Sequence, residues 1–204
     1  PVITVNSGAI CSGDSFTISA NGASSYVYQG GSMVVTPSSN SSYTVTGTDA
    51  NGCQGNTATS SVTVNPLPVL SISGLTSVCE GSTTTLTASG ANTYVWSDNS
   101  TGPGLVVTPS VTTTYSLIGT STDGCMNYSN TTVTVNSIPM VTISGTNALC
   151  QGTSIILTAS GANTYAWNNS VSNSFNVVSP AADTTYEVIG TSVQGCTNSA
   201  VANV

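Results

Sequence analysis

One segment is repeated three times along the 204-residue chain, and this repetition constrains the fold more than any other feature. Each copy opens with a cysteine and ends near a Gly–Cys pair, and the opening cysteines are 68 and 71 residues apart. The repeated positions are Cys11, Cys79 and Cys150 (the opening cysteines); Tyr26, Tyr94 and Tyr165; Tyr28, Trp96 and Trp167; Pro37, Pro109 and Pro180; Tyr43, Tyr115 and Tyr186; and Cys53, Cys125 and Cys196 (the turn cysteines). A period this long predicts an array of small domains, at residues 1–66 (module 1), 67–137 (module 2) and 138–204 (module 3).

The charge of the chain excludes whole classes of partner. It has no Lys, Arg or His, and its seven carboxylates give a formal net charge of -7 and a pI near 4.1. Nucleic acid is excluded because nothing in the chain can neutralise phosphates. Attraction to an anionic membrane surface is excluded for the same reason, and no apolar run reaches the length of a membrane span, so we expect no membrane insertion.

The six cysteines form one pair per copy, which predicts three disulfides within modules and none between them. Disulfides indicate an oxidising compartment, and each could add about 4 kcal/mol to a module of marginal size. Two alternatives stay open, namely free buried thiols in a cytoplasmic chain and zinc, although no CxxC motif or histidine accompanies the cysteines. The predicted bridges are Cys11–Cys53, Cys79–Cys125 and Cys150–Cys196.

The sequence predicts an all-β fold. Short segments rich in β-branched and aromatic residues alternate with turn residues every 8 to 12 positions, which is typical of a β-sandwich, and helical periodicity is absent. Proline-containing linkers at Asn65–Pro68 and Asn136–Pro139 favour stiff, extended connections, so we expect modules strung end to end. The aromatic residue at Tyr28, Trp96 and Trp167 lies in mid-strand, which favours core packing over a sugar-stacking platform.

These motifs resemble a known class of repeat. The run VCEGSTTTLTASGANTYVWS, followed by VTPSVTTTYSLIGTSTDGC and TVTVN, is similar to the Ig-like and PKD-like repeats of very large secreted proteins of Bacteroidota. Such proteins are commonly exported by the type IX pathway and include gliding and surface adhesins. The resemblance covers all three copies and implies an immunoglobulin-like sandwich in an extracellular scaffold, with no catalytic motif to carry over. Module 1 departs from the pattern at Tyr28 and in a loop four residues shorter.

The sequence contains no catalytic constellation, so we expect no enzyme activity and no cofactor. Because the chain has no His or Lys, a nucleophilic Ser or Cys would have no general base of the Ser/His, Cys/His or Ser–Lys kind. None of the seven carboxylates recurs at an equivalent position in a second copy, which argues against a repeated metal site or acid pair and leaves one weak calcium site at a junction as an alternative. The carboxylates are Asp14, Asp49, Glu80, Asp98, Asp123, Asp183 and Glu187.

Two smaller features carry specific expectations. The polar residue two positions before each turn cysteine, at Asn51, Asp123 and Gln194, is interpreted as the residue that caps its turn. The segment Asp183–Thr185 resembles the O-glycan acceptor sequence of Bacteroidota, which makes Thr184 a candidate O-glycosylation site.

The leading hypothesis is a structural segment of an extracellular or cell-surface fibre, stalk or adhesin. The alternatives are spacer modules of a secreted polysaccharide-degrading enzyme, or modules that themselves bind glycans. Because Val204 stops where the equivalent strand after Val133 continues, we expect a window of a longer chain. The open edge would be completed by the continuing modules or by a neighbouring copy, and we expect a filament as the assembly.

Overall fold

The computed structural model describes residues 1–150 and 152–204, and its regular structure is almost entirely β. A single turn of 3-10 helix at Gln29–Gly31 is the exception, and the described residues contain no α-helix. None of their helices could therefore cross a membrane. The all-β class predicted from the alternating sequence is confirmed.

The strands recur in a similar order in the three copies. In the first copy they are β1 Thr4–Val5, β2 Gly8–Cys11, β3 Phe16–Thr17, β4 Ala20–Asn21, β5 Ser25–Tyr28, β6 Val34–Val35, β7 Ser41–Thr48 and β8 Ala58–Asn65. In the second they are β9 Ser71–Ser73, β10 Ser77–Cys79, β11 Thr84–Ser89, β12 Thr93–Trp96, β13 Gly104–Val107, β14 Thr113–Thr120 and β15 Met126–Asn136. In the third they are β16 Thr142–Ser144, β17 Ile155–Ser160, β18 Thr164–Trp167, β19 Phe175–Val178, β20 Thr185–Thr191 and β21 Thr197–Asn203.

The chain divides into two compact units, and the division passes through the second copy. The first unit comprises Pro1–Ile72, Thr87–Gly104 and Ser116–Asn130. The second comprises Ser73–Leu86, Leu105–Tyr115 and Thr131–Val204. Each sheet nevertheless draws its strands from one copy of the repeat, and the module boundaries after residues 66 and 137 stay a prediction.

In the first unit, the largest sheet of the first copy has the order β2-β8-β7-β5. Strand β2 runs parallel to β8, with Cys11 opposite Asn65, whereas the β7–β8 and β5–β7 pairs are antiparallel. The pairs β1–β4 and β3–β6 complete the copy. Its fully buried side chains include Ile18, Val45 and Val62, which come from strands or segments with alternating apolar residues.

The second unit contains two three-stranded sheets of the third copy, β16-β17-β19 and β18-β20-β21. The inward-facing residues alternate along each strand, as the sequence predicts for a half-buried sheet. The parallel pair between β10 and the end of β15, with Cys79 opposite Asn136, belongs to the same unit. The core cluster comprises Val141, Leu157, Ala159, Trp167, Val178, Tyr186 and Val188.

A repeated tyrosine fixes the loop before its own strand in each copy. The Tyr26 hydroxyl donates a hydrogen bond to the Ala23 carbonyl oxygen at 2.9 Å and accepts one from the Ala23 N–H at 2.9 Å. The hydroxyls of Tyr94 and Tyr165 make the same pair of bonds to an alanine three residues earlier. The hydroxyl group of a tyrosine ring that packs against the core needs a hydrogen-bond partner, and the alanine backbone supplies it in all three copies.

Candidate functional site

Two disulfides join neighbouring copies of the repeat, and this joint is the candidate functional site. The described residues contain the disulfides Cys11–Cys125 and Cys79–Cys196, with Cα–Cα distances of 5.5 and 5.6 Å. Each links the opening cysteine of one module to the turn cysteine of the next module, and Cys53 and Cys150 are free, exposed thiols. The expected absence of bridges between modules is therefore wrong, as are the predicted pairs Cys11–Cys53, Cys79–Cys125 and Cys150–Cys196.

The parallel pairing of β2 with β8 explains why Cys11 does not pair with Cys53. Cys11 lies opposite Asn65, the last residue of β8, whereas Cys53 precedes the first residue of that strand. Eight residues of extended strand separate the two ends by roughly 25 Å, and a disulfide requires Cα atoms within about 7 Å. An opening cysteine therefore lies beside the linker to the next module and cannot reach the turn of its own module.

A compact loop presents each turn cysteine. In the second copy, the Ser121 N–H donates to the Cys125 carbonyl oxygen at 2.8 Å, and the Cys125 N–H donates to Ser121 Oγ at 3.2 Å. Gly124 has a φ of 81°, a left-handed conformation that favours glycine, and its N–H donates to the Ser121 carbonyl oxygen. The loop ending at Cys196 has the same bonds, with Ser192 in place of Ser121.

The capping residue of these loops therefore lies four positions before the cysteine. In the first copy it is Asp49, whose carboxylate accepts the N–H groups of Asn51 and Cys53, both at 2.9 Å. The prediction that Asn51, Asp123 and Gln194 cap the turns is wrong. The signal that could have found the cap is the Asp/Ser/Ser set at this position, since these side chains readily accept backbone N–H groups.

An asparagine two residues after the turn cysteine fastens the proline linker to the loop. Asn127 Nδ2 donates to the Pro68 carbonyl oxygen at 2.9 Å, and Asn198 Nδ2 donates to that of Pro139 at 3.0 Å. In each joint the buried turn-cysteine sulfur lies close to the carbonyl oxygen of Asn65 or Asn136, at 3.9 and 3.8 Å. A joint therefore combines a covalent bridge, a hydrogen-bonded asparagine and a linker stiffened by proline.

A shallow hollow of about 380 Å³ lies beside the Cys11–Cys125 bridge and is lined in part by Asp14 and Asp123. Across residues 1–150 and 152–204, no group of three or more His, Cys, Asp or Glu side chains is placed to hold a metal ion. Asp183 is exposed just before β20, and Glu187 is exposed on that strand. Six of the seven carboxylates are exposed, and Asp49 is half-buried.

Thr184, the candidate glycosylation site, precedes β20 and is half-buried. Its hydroxyl donates a hydrogen bond to the Ala182 carbonyl oxygen at 2.7 Å, and its backbone pairs with that of Val204. The neighbouring Asp183 is exposed. O-glycosylation of Thr184 stays a prediction.

Of the repeated aromatics, Trp96 and Trp167 belong to the core as predicted, although each is the last residue of its strand rather than a mid-strand residue. Trp96 is 2% exposed and donates its indole N–H to the Gly102 carbonyl oxygen at 3.1 Å. Trp167 is 4% exposed and donates to Asn173 at 2.9 Å. Tyr28 is half-buried, with its ring centroid 6.5 Å from that of Tyr26. The two tryptophans therefore offer no surface on which a sugar could stack.

Comparison with known proteins yields likenesses of fold only. No family model matches the chain, and no curated protein sequence matches it. Among solved structures, an I-band fragment from titin is 12% identical, with coverage of 98% of this chain and 95% of that one and a TM-score of 0.42. A 1.5-MDa bacterial ice-binding adhesin is 13% identical, with coverage of 99% and 96% and a TM-score of 0.37. Extracellular domains 3-5 of Drosophila OTK are 10% identical, with coverage of 97% and 93% and a TM-score of 0.36.

Proposed function

We propose that the chain is a structural segment of an extracellular or cell-surface fibre, stalk or adhesin, built from tandem Ig-like modules. The observation that carries this proposal is the joint, because the same combination of bridge, asparagine and proline linker occurs twice. A protein whose modules serve only as separate binding units has no need to repeat a covalent connection between them.

The joint suits a chain under tension. A pull transmitted through one joint has two covalent paths, the backbone of the linker and the disulfide beside it. The bridge also restricts bending, since it fixes a second point of attachment next to the linker. Disulfides of this kind persist in oxidising surroundings, which supports a location outside the cell.

The alternatives have less support from the side chains. A glycan-binding module needs an exposed row of aromatic residues, and Trp96 and Trp167 are buried. For a spacer in a polysaccharide-degrading enzyme, no feature of the chain favours that role over the fibre. The chain itself is proposed to be non-catalytic, with neighbouring copies or continuing modules as its partners.

Electron microscopy of the native material tests the proposal. We expect long, narrow particles with a periodic repeat set by the length of one module. Under conditions in which circular dichroism shows the modules still folded, a thiol reductant should increase the bending of the particles, because the joints lose their second covalent path. Compact globular particles at working concentration would reject the fibre and favour an accessory module.

A further inference from the structure

We propose that Cys53 and Cys150 each form a disulfide with a further module, in a joint of the same kind as the two described above. Cys150 would pair with the turn cysteine of a module that follows module 3, and Cys53 with the opening cysteine of a module that precedes module 1. The partner in both cases is an Ig-like module of this kind. This inference rests on the proposed fibre and specifies how its segments are linked.

The first support is the loop that presents Cys53. The Asp49 N–H donates to the Cys53 carbonyl oxygen at 3.0 Å, and the Gly52 N–H donates to that of Asp49 at 3.1 Å. These bonds match those around Cys125 and Cys196, which are bridged and fully buried. Cys53 is therefore held in the conformation of a bridged cysteine while its thiol stays exposed.

The second support is the turn that follows Cys150. The Thr153 N–H donates to the Cys150 carbonyl oxygen at 3.0 Å. The corresponding bonds at the bridged positions run from Asp14 to Cys11 and from Ser82 to Cys79, at 3.0 and 2.9 Å. Cys150 thus has the local turn of an opening cysteine, whereas residues 148–150 do not form a strand like β2 or β10.

The order of the bridges makes the two free thiols complementary. Both disulfides connect an opening cysteine to the turn cysteine of the next copy, at sequence separations of 114 and 117. Under this rule the three-module chain leaves one turn cysteine at its first module and one opening cysteine at its last. The pairing is therefore heterotypic, and neither Cys53–Cys53 nor Cys150–Cys150 fits the joint.

The Cys53 side also lacks the asparagine that fastens the linker in the other joints. Gly55 occupies the position of Asn127 and Asn198, and a Cβ there would collide with the Pro1 carbonyl oxygen. The Asn56 side chain instead binds both the N–H and the carbonyl oxygen of Ile3. A joint at Cys53 therefore lacks the asparagine at this position, and the disulfide supplies its cross-link.

The bridge forms by thiol–disulfide exchange, with a small or protein disulfide as the oxidant. One cysteine thiolate attacks the oxidant, which forms a mixed disulfide and releases one thiolate. The second cysteine thiolate then attacks the mixed disulfide at the protein sulfur and releases the other thiolate. The two cysteines lose two electrons and two protons in total, and the oxidant's disulfide is reduced to two thiols.

Peptide mapping of the native material tests the proposal. Free thiols are first alkylated under denaturing conditions, and the protein is then cut with chymotrypsin, because the chain lacks Lys and Arg. We expect Cys53 and Cys150 to be labelled only after reduction. Before reduction, the peptide with Cys150 should be linked to one with a Gly–Cys turn, and the peptide with Cys53 to one with an opening cysteine. The Cys11–Cys125 peptide pair is the internal control.

Alkylation of Cys53 or Cys150 before reduction would overturn the proposal, and so would a homotypic pair. A denaturing gel with and without reductant then identifies where the partner module lies. A ladder that collapses on reduction indicates separate copies of the chain, whereas an unchanged mass indicates modules of one polypeptide, and either result supports the pairing. Filaments with free thiols would reject the pairing alone, and compact particles with bridged thiols would reject the fibre alone.

Discussion

The two bridged joints have nearly the same geometry although their linkers differ in sequence. The linker at Asn65–Pro68 contains two prolines, whereas that at Asn136–Pro139 contains one. Both are fastened by an asparagine to the carbonyl oxygen of the last proline, at 2.9 and 3.0 Å. The cysteines, the serine cap and the asparagine therefore define the joint, while the residues between Asn and the last Pro are free to vary.

The largest expected effect comes from removing one bridge. We expect the double variants Cys11→Ser/Cys125→Ser and Cys79→Ser/Cys196→Ser to lose similar amounts of stability, because their loops of 114 and 117 residues are nearly equal. The chain-entropy model gives about 5 kcal/mol of unfolding free energy for each.

Denaturant unfolding followed by tryptophan fluorescence can measure each loss separately. Trp96 belongs to the first unit and Trp167 to the second, and the chain has no other tryptophan. Single-tryptophan variants with both bridges intact are the matched controls. If one double variant lost several kcal/mol and the other almost nothing, the two joints would not be equivalent.

Next in size is the loss of a core tryptophan. Trp167→Ala should destabilise the second unit by about 3–5 kcal/mol, because it removes a buried ring and its hydrogen bond to Asn173. Tyr28→Ala, at the equivalent half-buried position in the first copy, should cost less than half as much. Thermal unfolding followed by circular dichroism tests this, and equal losses would contradict the difference in burial.

A smaller effect is expected from the asparagines that fasten the linkers. Asn127→Ala and Asn198→Ala should each cost about 1 kcal/mol, the usual net value of one hydrogen bond. Asn130→Ala, an exposed residue on the same strand as Asn127, is the control and should change little. Hydrogen exchange at the loops ending in Cys125 and Cys196 would detect the local loosening. Unchanged exchange would mean that the disulfide alone fixes the linker.

The repeat, the all-β class, the core tryptophans and the presence of disulfides could be read from the sequence. Each depends on local pattern, such as alternation along a strand or an aromatic position that recurs in all three copies. The disulfide pairing could not, because it depends on which end of β8 lies next to Cys11. Alternation identifies a strand but not the direction of its partner. Because β2 runs parallel to β8, Cys11 lies at the end of β8 that is far from Cys53. The cap at Asp49, Ser121 and Ser192 was missed because several polar residues precede each turn cysteine.

The smallest expected effect concerns two equivalent turns, one with a carboxylate and one without. Asp98 follows Trp96 by two residues, and its carboxylate accepts hydrogen bonds from the Ser100 hydroxyl at 2.6 Å and the Ser100 N–H at 2.9 Å. These bonds hold the pKa of the Asp98 carboxyl below its ordinary value of 3.8, and the bond from the Ser100 hydroxyl has the larger effect. The equivalent residue in the third copy is Asn169, whose side chain bonds to Asn176 instead.

A lowered pKa means that the ionised Asp98 favours the folded turn. Its contribution is fully present above about pH 4, where the unfolded carboxyl is also ionised, and is lost as the pH falls through the lowered folded pKa. We therefore expect the Ser100 amide signal in NMR to shift below pH 4, while the Val171 amide, at the same place in the turn after Trp167, stays constant. Asp98→Asn should abolish the Ser100 titration, since the amide cannot ionise. A Ser100 titration that persisted in Asp98→Asn would assign the effect to another carboxylate.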